Sequence, residues 1–411
     1  MKRRTFLAGG AAATLLGGCK LSLEQGLFNE CRPPHRHGVF ADPVVVAAWE
    51  GIDPGKVWDC HVHLFGNGRS GAGVWVSPDF DRPSSIPARV RRAMFFNAGC
   101  GGEDDHRFDA GVVARLAHLA GEMPAGVKVM LLAFDFTYDE QGRRREDQST
   151  FAVPDAYCAQ VARAHPDRFE WIASVHPYRR DAAAALEAAK AAGARAVKWL
   201  PSTMAIDLAS PRCRPAFEAM ARLDLPLLVH VGEEQAVAGA ERHDFGNPLY
   251  LRHPLDHRVR VIAAHCATLG ESPDLDANRD PERAPRVANV ALLARLLGER
   301  RYDGLLYGDL SAVSQANRAE ALPAILGNPA WKGRLLNGSD YPLPAIMPLF
   351  SVDTLVREGL LPAGTAPVLR ELRHLNPLMF DFVLKRHLAW RGERFAPSAF
   401  ETRTFFERRG A

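Results

Sequence analysis

The chain has 411 residues, with 51 Lys and Arg against 48 Asp and Glu, a formal net charge of +3. That balance leaves no basic footprint for nucleic acid, and 47% apolar with 24% charged residues is the make-up of a soluble globular protein. Beyond the leader, no apolar run reaches the roughly 20 residues that a membrane-spanning helix needs.

The chain opens Met-Lys-Arg-Arg-Thr-Phe-Leu, followed by a short small-residue run from Ala8 to Leu16. Paired arginines before a short, weakly apolar segment form a twin-arginine export signal. The run ends Leu16-Gly17-Gly18-Cys19, which resembles a bacterial lipobox. Acylation at Cys19 would leave the protein periplasmic or lipid-anchored to the cell envelope, and that anchor is the only membrane contact expected. Ordinary signal-peptidase cleavage, with Cys19 discarded, is the other reading. Six cysteines remain, without Cys-x-x-Cys spacing, so no zinc ribbon or thioredoxin motif is present. Cys31 could pair with Cys100 or with Cys213, and spacing does not choose between them.

From Val57 onward, short apolar runs alternate with helical patterns, as repeated βα units require. The runs are Val57–Leu64, Val127–Asp135, Phe169–His176, Ala194–Leu200, Leu225–Val231, Arg260–Cys266, Gly304–Leu310 and Arg334–Tyr341. Helical periodicity falls at Ala110–Gly121, Asp155–His165, Asp181–Ala192, Arg214–Leu223 and Val287–Leu297. Gly193 follows the third of these, where a glycine C-cap is expected. Eight strands with intervening helices predict an α/β fold, the TIM (β/α)8 barrel, with a long insertion after the first strand and a helical extension over Val352–Leu388. The segment Arg89–Asn97 inside that insertion reads either as helix or as a further strand. The expected organisation is a leader over 1–19, a lead-in over 20–56, the barrel over 57–388 and a tail over 389–411.

The polar residues at the strand ends carry the chemistry. Asp59-Cys60-His61-Val62-His63 closes the first run, and alternate strand residues share a face, so His61 and His63 project together beside Asp59. The fourth strand gives Lys198, the fifth His230, the sixth His265 and the eighth Asp340. A barrel brings such ends together at one mouth, and imidazoles with a carboxylate there suit a divalent metal. Any one of them alone would read as a buried histidine or a turn residue; the set does not.

With these residues in place the chain resembles the amidohydrolase superfamily, in the branch of aminocarboxymuconate-semialdehyde decarboxylase and related amidohydrolase 2 proteins. The resemblance spans roughly Val57 to Leu388. It rests on Asp59-Cys-His-Val-His63, Ala196-Val-Lys-Trp-Leu-Pro201, Leu225-Pro-Leu-Leu-Val-His-Val-Gly232, Val261-Ile-Ala-Ala-His265 and Asn337-Gly-Ser-Asp-Tyr-Pro342. It implies that His61, His63, His230 and Asp340 hold one divalent ion, zinc first. Asp340 would also be the general base, and His265 would orient water or stabilise an oxyanion. Asp59 would support an imidazole from behind. Lys198 and His265 would hold a second ion if the lysine were carboxylated, an arrangement the Val-Lys-Trp-Leu-Pro wording disfavours.

The implied activity is hydrolysis of an amide, ester or lactone carbonyl in a small-molecule substrate by ion-activated water. Non-oxidative decarboxylation by the same branch is the alternative, and a surface lipoprotein without turnover a third. Arg179, after the third strand, could grip a substrate carboxylate, and Trp199, Glu233, Glu234 and His243 are expected to shape the pocket. Gly66-Asn-Gly-Arg-Ser-Gly71 matches a dinucleotide fingerprint, but no helix start follows it, and the strand before it already carries the metal pair. Oligomeric state cannot be read from the chain.

Overall fold

The computed structural model describes residues 21–32, 38–102 and 104–407, so the leader with Cys19 lies outside the described residues. All eight predicted strands form: β1 (Trp58–His63), β2 (Lys128–Leu132), β3 (Phe169–Ile172), β4 (Val197–Trp199), β5 (Leu227–Val229), β6 (Val261–Ala263), β7 (Leu306–Asp309) and β8 (Leu335–Leu336). They pair in parallel, β1-β2-β3 in one sheet and β4 through β8 in the other. Two seams join the sheets. At one, Ala173 accepts from Lys198 N–H (2.7 Å) and donates to Ala196 (2.9 Å); at the other, Cys60 N–H donates to Asn337 (3.0 Å) and His63 N–H to Tyr341 (2.8 Å). The eight strands therefore close into a TIM barrel.

Each strand is shorter than its apolar run, and in the second, third, sixth and eighth most of the surplus lies at the C-terminal end, where the chain turns into the mouth. The sixth run stops pairing at Ala263 because His265, Cys266 and Ala267 all take positive φ, between 50° and 54°. That backbone costs an L-residue about 1–2 kcal/mol per position, and the His265 N–H is repaid by Asp309 Oδ1 at 2.8 Å.

Side chains facing inward from the strands, among them Trp58, Met130, Leu132, Ile172, Leu228 and Ile262, fill the barrel, so it is packed rather than a pore. The tail shares in this core. Phe406 joins the same cluster near Trp58, and the Thr402 hydroxyl donates to Trp58 O. Residues expected to trail behind the barrel thus form its floor.

The outer layer follows the predicted helices closely: α2 (Phe108–Glu122), α3 (Asp155–Ala164), α4 (Ala182–Ala191), α5 (Arg214–Arg222) and α6 (Asn289–Leu297). Gly193 takes φ +97° just past the α4 cap, as a C-terminal glycine should. The ambiguous Arg89–Asn97 segment is helical, inside α1 (Ile86–Gly99), which starts on the Ser85 side-chain cap with Pro87 in its first turn. The C-terminal extension supplies α7 (Ala366–Leu375) and α8 (Pro377–His387), and Phe382 of α8 stacks on Trp49 at 3.9 Å. Among the described residues no helix is long and apolar enough to cross a membrane.

Of the two pairings open to Cys31, the structure forms Cys31–Cys100, while Cys213 stays free and buried. The bridge closes a sequence separation of 69 residues. A loop of that length removes roughly 4 kcal/mol of unfolded-chain entropy, with about 2–4 kcal/mol the usual yield. The double variant Cys31→Ser/Cys100→Ser should lose that amount in urea denaturation, and a change below 0.5 kcal/mol would show that the clip contributes nothing.

Candidate active site

At the C-terminal mouth, His61, His63, Lys198, His230, His265 and Asp340 line one cavity of about 100 Å³. Five of the six are buried, and His63 is half-buried. Within the cavity, His61, His63 and Asp340 each place a ligand-capable atom within 4.8 Å of the others. His63 Nε2 lies 3.0 Å and His61 Nε2 3.4 Å from Asp340 Oδ1.

Asp309, at the end of β7, orders this arrangement. Its Oδ1 accepts from the backbone N–H groups of His265 (2.8 Å) and Ser311 (3.0 Å) and from the Ser311 hydroxyl; its Oδ2 lies 2.8 Å from His61 Nδ1. Burial would raise this carboxyl, but the His61 and His265 imidazoles and these hydrogen bonds outweigh it and hold Asp309 ionised, well below the usual range. An ionised carboxylate only accepts, so His61 Nδ1 carries the proton. The Ser311 proton is committed to Asp309, so Ser311 Oγ accepts from His265 Nδ1 at 2.7 Å. Both imidazoles therefore present an Nε2 lone pair, a tautomer assigned from the network. A second group of possible ligands, His61 with His265 and Asp309, overlaps the first, but its carboxylate already accepts these four hydrogen bonds.

The charges fit the same picture. Burial, then the Lys198 charge, lowers His61 and favours its neutral form. Burial also pushes His230 down to about 4 and His265 well below its ordinary value. Asp340 would be raised by burial, yet the His63 hydrogen bond and the Lys198 charge hold it ionised. The inward-facing Lys198 is fully enclosed, and burial lowers its pKa. Its Nζ lies 3.2 Å from the His61 Nε2 lone pair. Neutral imidazole nitrogens and an ionised carboxylate are what a divalent metal site requires, so the donor set fits such an ion.

Several expectations change. Asp59 does not hold an imidazole: a register shift in β1 between Asp59 and Val62 turns it away, and its Oδ1 accepts from the backbone N–H groups of Ser339 (2.8 Å) and His61 (3.2 Å). The residue behind His61 is Asp309, which the strand-end reading passed over. His230 lines the cavity but stands outside the close group, with Nε2 3.3 Å from Glu234 Oε2. Arg179 pairs with Asp181 (2.8 Å) and Asp135 (3.1 Å) and is absent from the lining; the arginines that line the cavity are Arg91 and Arg318. Trp199 points outward because Lys198 points inward, and its indole N–H donates to Val175 O at 2.8 Å. Glu234 lines the cavity, His243 lines a neighbouring groove, and Glu233 does neither. The Gly66–Gly71 turn leads into an extended pair, Trp75–Val76 against Phe151–Ala152, not a helix, so it is no dinucleotide fingerprint.

No curated protein matches the chain. Solved structures similar to it include an uncharacterised TIM-barrel protein from Bordetella bronchiseptica (15% identity, 79% of this chain and 99% of that one, TM-score 0.45). Another is a putative 2-pyrone-4,6-dicarboxylic acid hydrolase from Pseudomonas putida (15%, 79% and 97%, TM-score 0.42). A third is a 5-carboxyvanillate decarboxylase from Novosphingobium aromaticivorans with bound manganese (11%, 89% and 97%, TM-score 0.41). The Amidohydro_2 family model, described as amidohydrolase, matches residues 58–345, most of the chain and the whole barrel. The chain belongs to the Amidohydro_2 amidohydrolase family.

Proposed function

We propose that the protein is a metal-dependent hydrolase acting on an amide, ester or lactone carbonyl. The observation that carries this reading is the convergence of His61 Nε2, His63 Nε2 and Asp340 Oδ1 in a cavity at the barrel mouth. These three residues would hold the ion, zinc first because the donors are imidazole nitrogen and carboxylate oxygen. His230, on the same wall, is the further ligand that the resemblance implies. When bound, the ion would supply Lewis-acid charge to a carbonyl and lower the pKa of water.

The remaining roles belong to the chain. Asp340, kept ionised, accepts the proton of the attacking water. His265 Nε2, left with a lone pair by the Ser311 contact, orients that water by accepting from it. Donating to an oxyanion from the same nitrogen would require a second proton, which burial opposes. Asp309 fixes His61 as a carboxylate behind a ligand imidazole.

Decarboxylation is the second reading, and its own observation is the pair Arg91 and Arg318 on the cavity wall, either of which could seat a substrate carboxylate. Chelation and reconstitution with zinc or manganese, followed by parallel ester, lactone, amide and carboxylic-acid panels, tests both. Activity should vanish on chelation and return with metal. Carbon dioxide release without hydrolysis would replace the first reading by the second, and a protein that takes up no metal would end both. Export by the twin-arginine route is proposed alongside; the Cys31–Cys100 bridge supports an oxidising compartment, and cell fractionation with acyl labelling at Cys19 tests it.

A further inference from the structure

Next to the polar cavity lies a second chamber of about 140 Å³. The two share His63, Arg91, Phe95, Ala236, Val237 and Leu343, so the chamber opens directly beside the residues assigned to the ion. Its outer walls are nearly all apolar and come from the insertion after β1 and the loop after β2. They include Val76, Phe80, Phe95, Phe96, Phe151 and Val153. Phe80 and Phe96 face each other with centroids 6.2 Å apart, and Phe151 packs on Phe134 at 4.7 Å. Val76, Phe80, Phe95, Phe96 and Phe151 are only half-buried, which leaves apolar surface uncovered beside the site. The polar side chains on its wall are few: His63 and Arg91 at the junction, and Thr150.

Such a chamber rejects a charged or strongly hydrated group, which would lose its water without gaining partners. Its volume is close to the 150 Å³ of an apolar cavity that accepts one benzene. Aromatic walls favour a flat ring by offset or edge-on contact. We propose that the chamber seats an aryl or similarly compact apolar group of the substrate, whose reacting carbonyl lies at the His61–His63–Asp340 end. The identity of the reacting end rests on the metal-dependent reading; the chamber's preference does not. The specificity-determining residues are then those of α1 and the Trp75–Val76 segment, outside the chemistry itself.

Two probes separate the claims. Fluorobenzene binding to the full-length protein, followed by fluorine NMR, needs no metal. Saturable binding is expected, and it should be lost when the chamber is filled by Val76→Trp. Ala238→Trp, at an exposed position on the same wall, gives the same result with less risk to folding, and a thermal transition confirms that each variant is folded. For the metal-loaded protein, benzohydroxamate should bind about 10–100-fold more tightly than acetohydroxamate, the effect of burying one ring, and filling should erase that preference. Absence of saturable fluorobenzene binding, or binding unchanged in both filled variants, overturns the proposal. Equal affinity for the two hydroxamates overturns it as well. If neither hydroxamate binds while fluorobenzene binds and is expelled by filling, the metal reading fails and the aryl chamber stands.

Discussion

Asp340→Asn should reduce kcat by about 10³-fold at saturating metal, within the range expected for removing a positioned proton acceptor, while the protein stays folded. Asparagine keeps the shape and can still face His63, so the loss would come from charge and basicity rather than from a collapsed turn. The Asp340 N–H donates to His61 O at 2.8 Å, a backbone bond the substitution leaves intact. Metal content, measured on the same sample, separates the two jobs assigned to this carboxylate. An ion retained with activity lost points to the proton acceptor. An ion lost with activity restored by excess metal points to the ligand alone. A variant within threefold of wild type, equally loaded, would remove Asp340 from the chemistry and with it the proposed hydrolytic step. The matching test of the supporting carboxylate is Asp309→Asn. It should lower metal affinity by about 10–100-fold without the same fall in kcat at saturation, because Asp309 acts through His61.

Much of this site was legible before any coordinates, because a barrel converts position along a strand into position around a mouth. His61, His63, Lys198, His230, His265 and Asp340 were found by asking which polar residue ends each apolar run. Asp309 ends the seventh strand by the same rule, but a single carboxylate in Gly-Asp-Leu, with no histidine beside it, carries no metal signature of its own. What the rule could not supply was orientation where strand geometry breaks. The shift in β1 reassigns Asp59 from an imidazole to a backbone clamp. Alternation, applied to Lys198, would already have sent Trp199 outward. The pocket wall was the least legible part: α1 belongs to an insertion with no barrel period to anchor it. Even so, Ser85-Ile86-Pro87 carries a helix-start signature. Arg91 and Phe95 reach the cavity through that helix, so their roles depend on how the insertion packs, which local pattern does not encode.

The same distinction between seen residues and unseen support explains why a substitution outside the cavity lining should have the largest effect on stability. Lys385, in α8, is fully buried beneath the turn that presents Asp340. Its Nζ donates to Gly338 O at 2.6 Å and pairs with Asp381 at 2.5 Å. The turn has little slack: a Cβ on Gly338 would stand 2.7 Å from His61 Cβ, while Asp59 holds Ser339 from the other side. Burial pushes the Asp381 carboxyl up to about 7, with Lys385 opposing the rise. Lys385→Met removes that opposition and moves the carboxyl higher still. A folded-state pKa raised above the unfolded one weakens the fold as pH rises, until the folded value is passed. Wild type stops losing stability from this group once the pH exceeds about 7, and the variant continues to lose it. The deficit should therefore be modest at pH 6 and widen above pH 7 by about 1.4 kcal/mol per pH unit, reaching about 2 kcal/mol of added loss at pH 8.5. Asp381→Asn combined with Lys385→Met should recover most of it, since the pair leaves together. Denaturation of the four proteins at pH 6 and pH 8.5 decides the matter. A deficit that is the same at both, or a double variant no better than Lys385→Met, would mean that Lys385 serves the turn through Gly338 O alone.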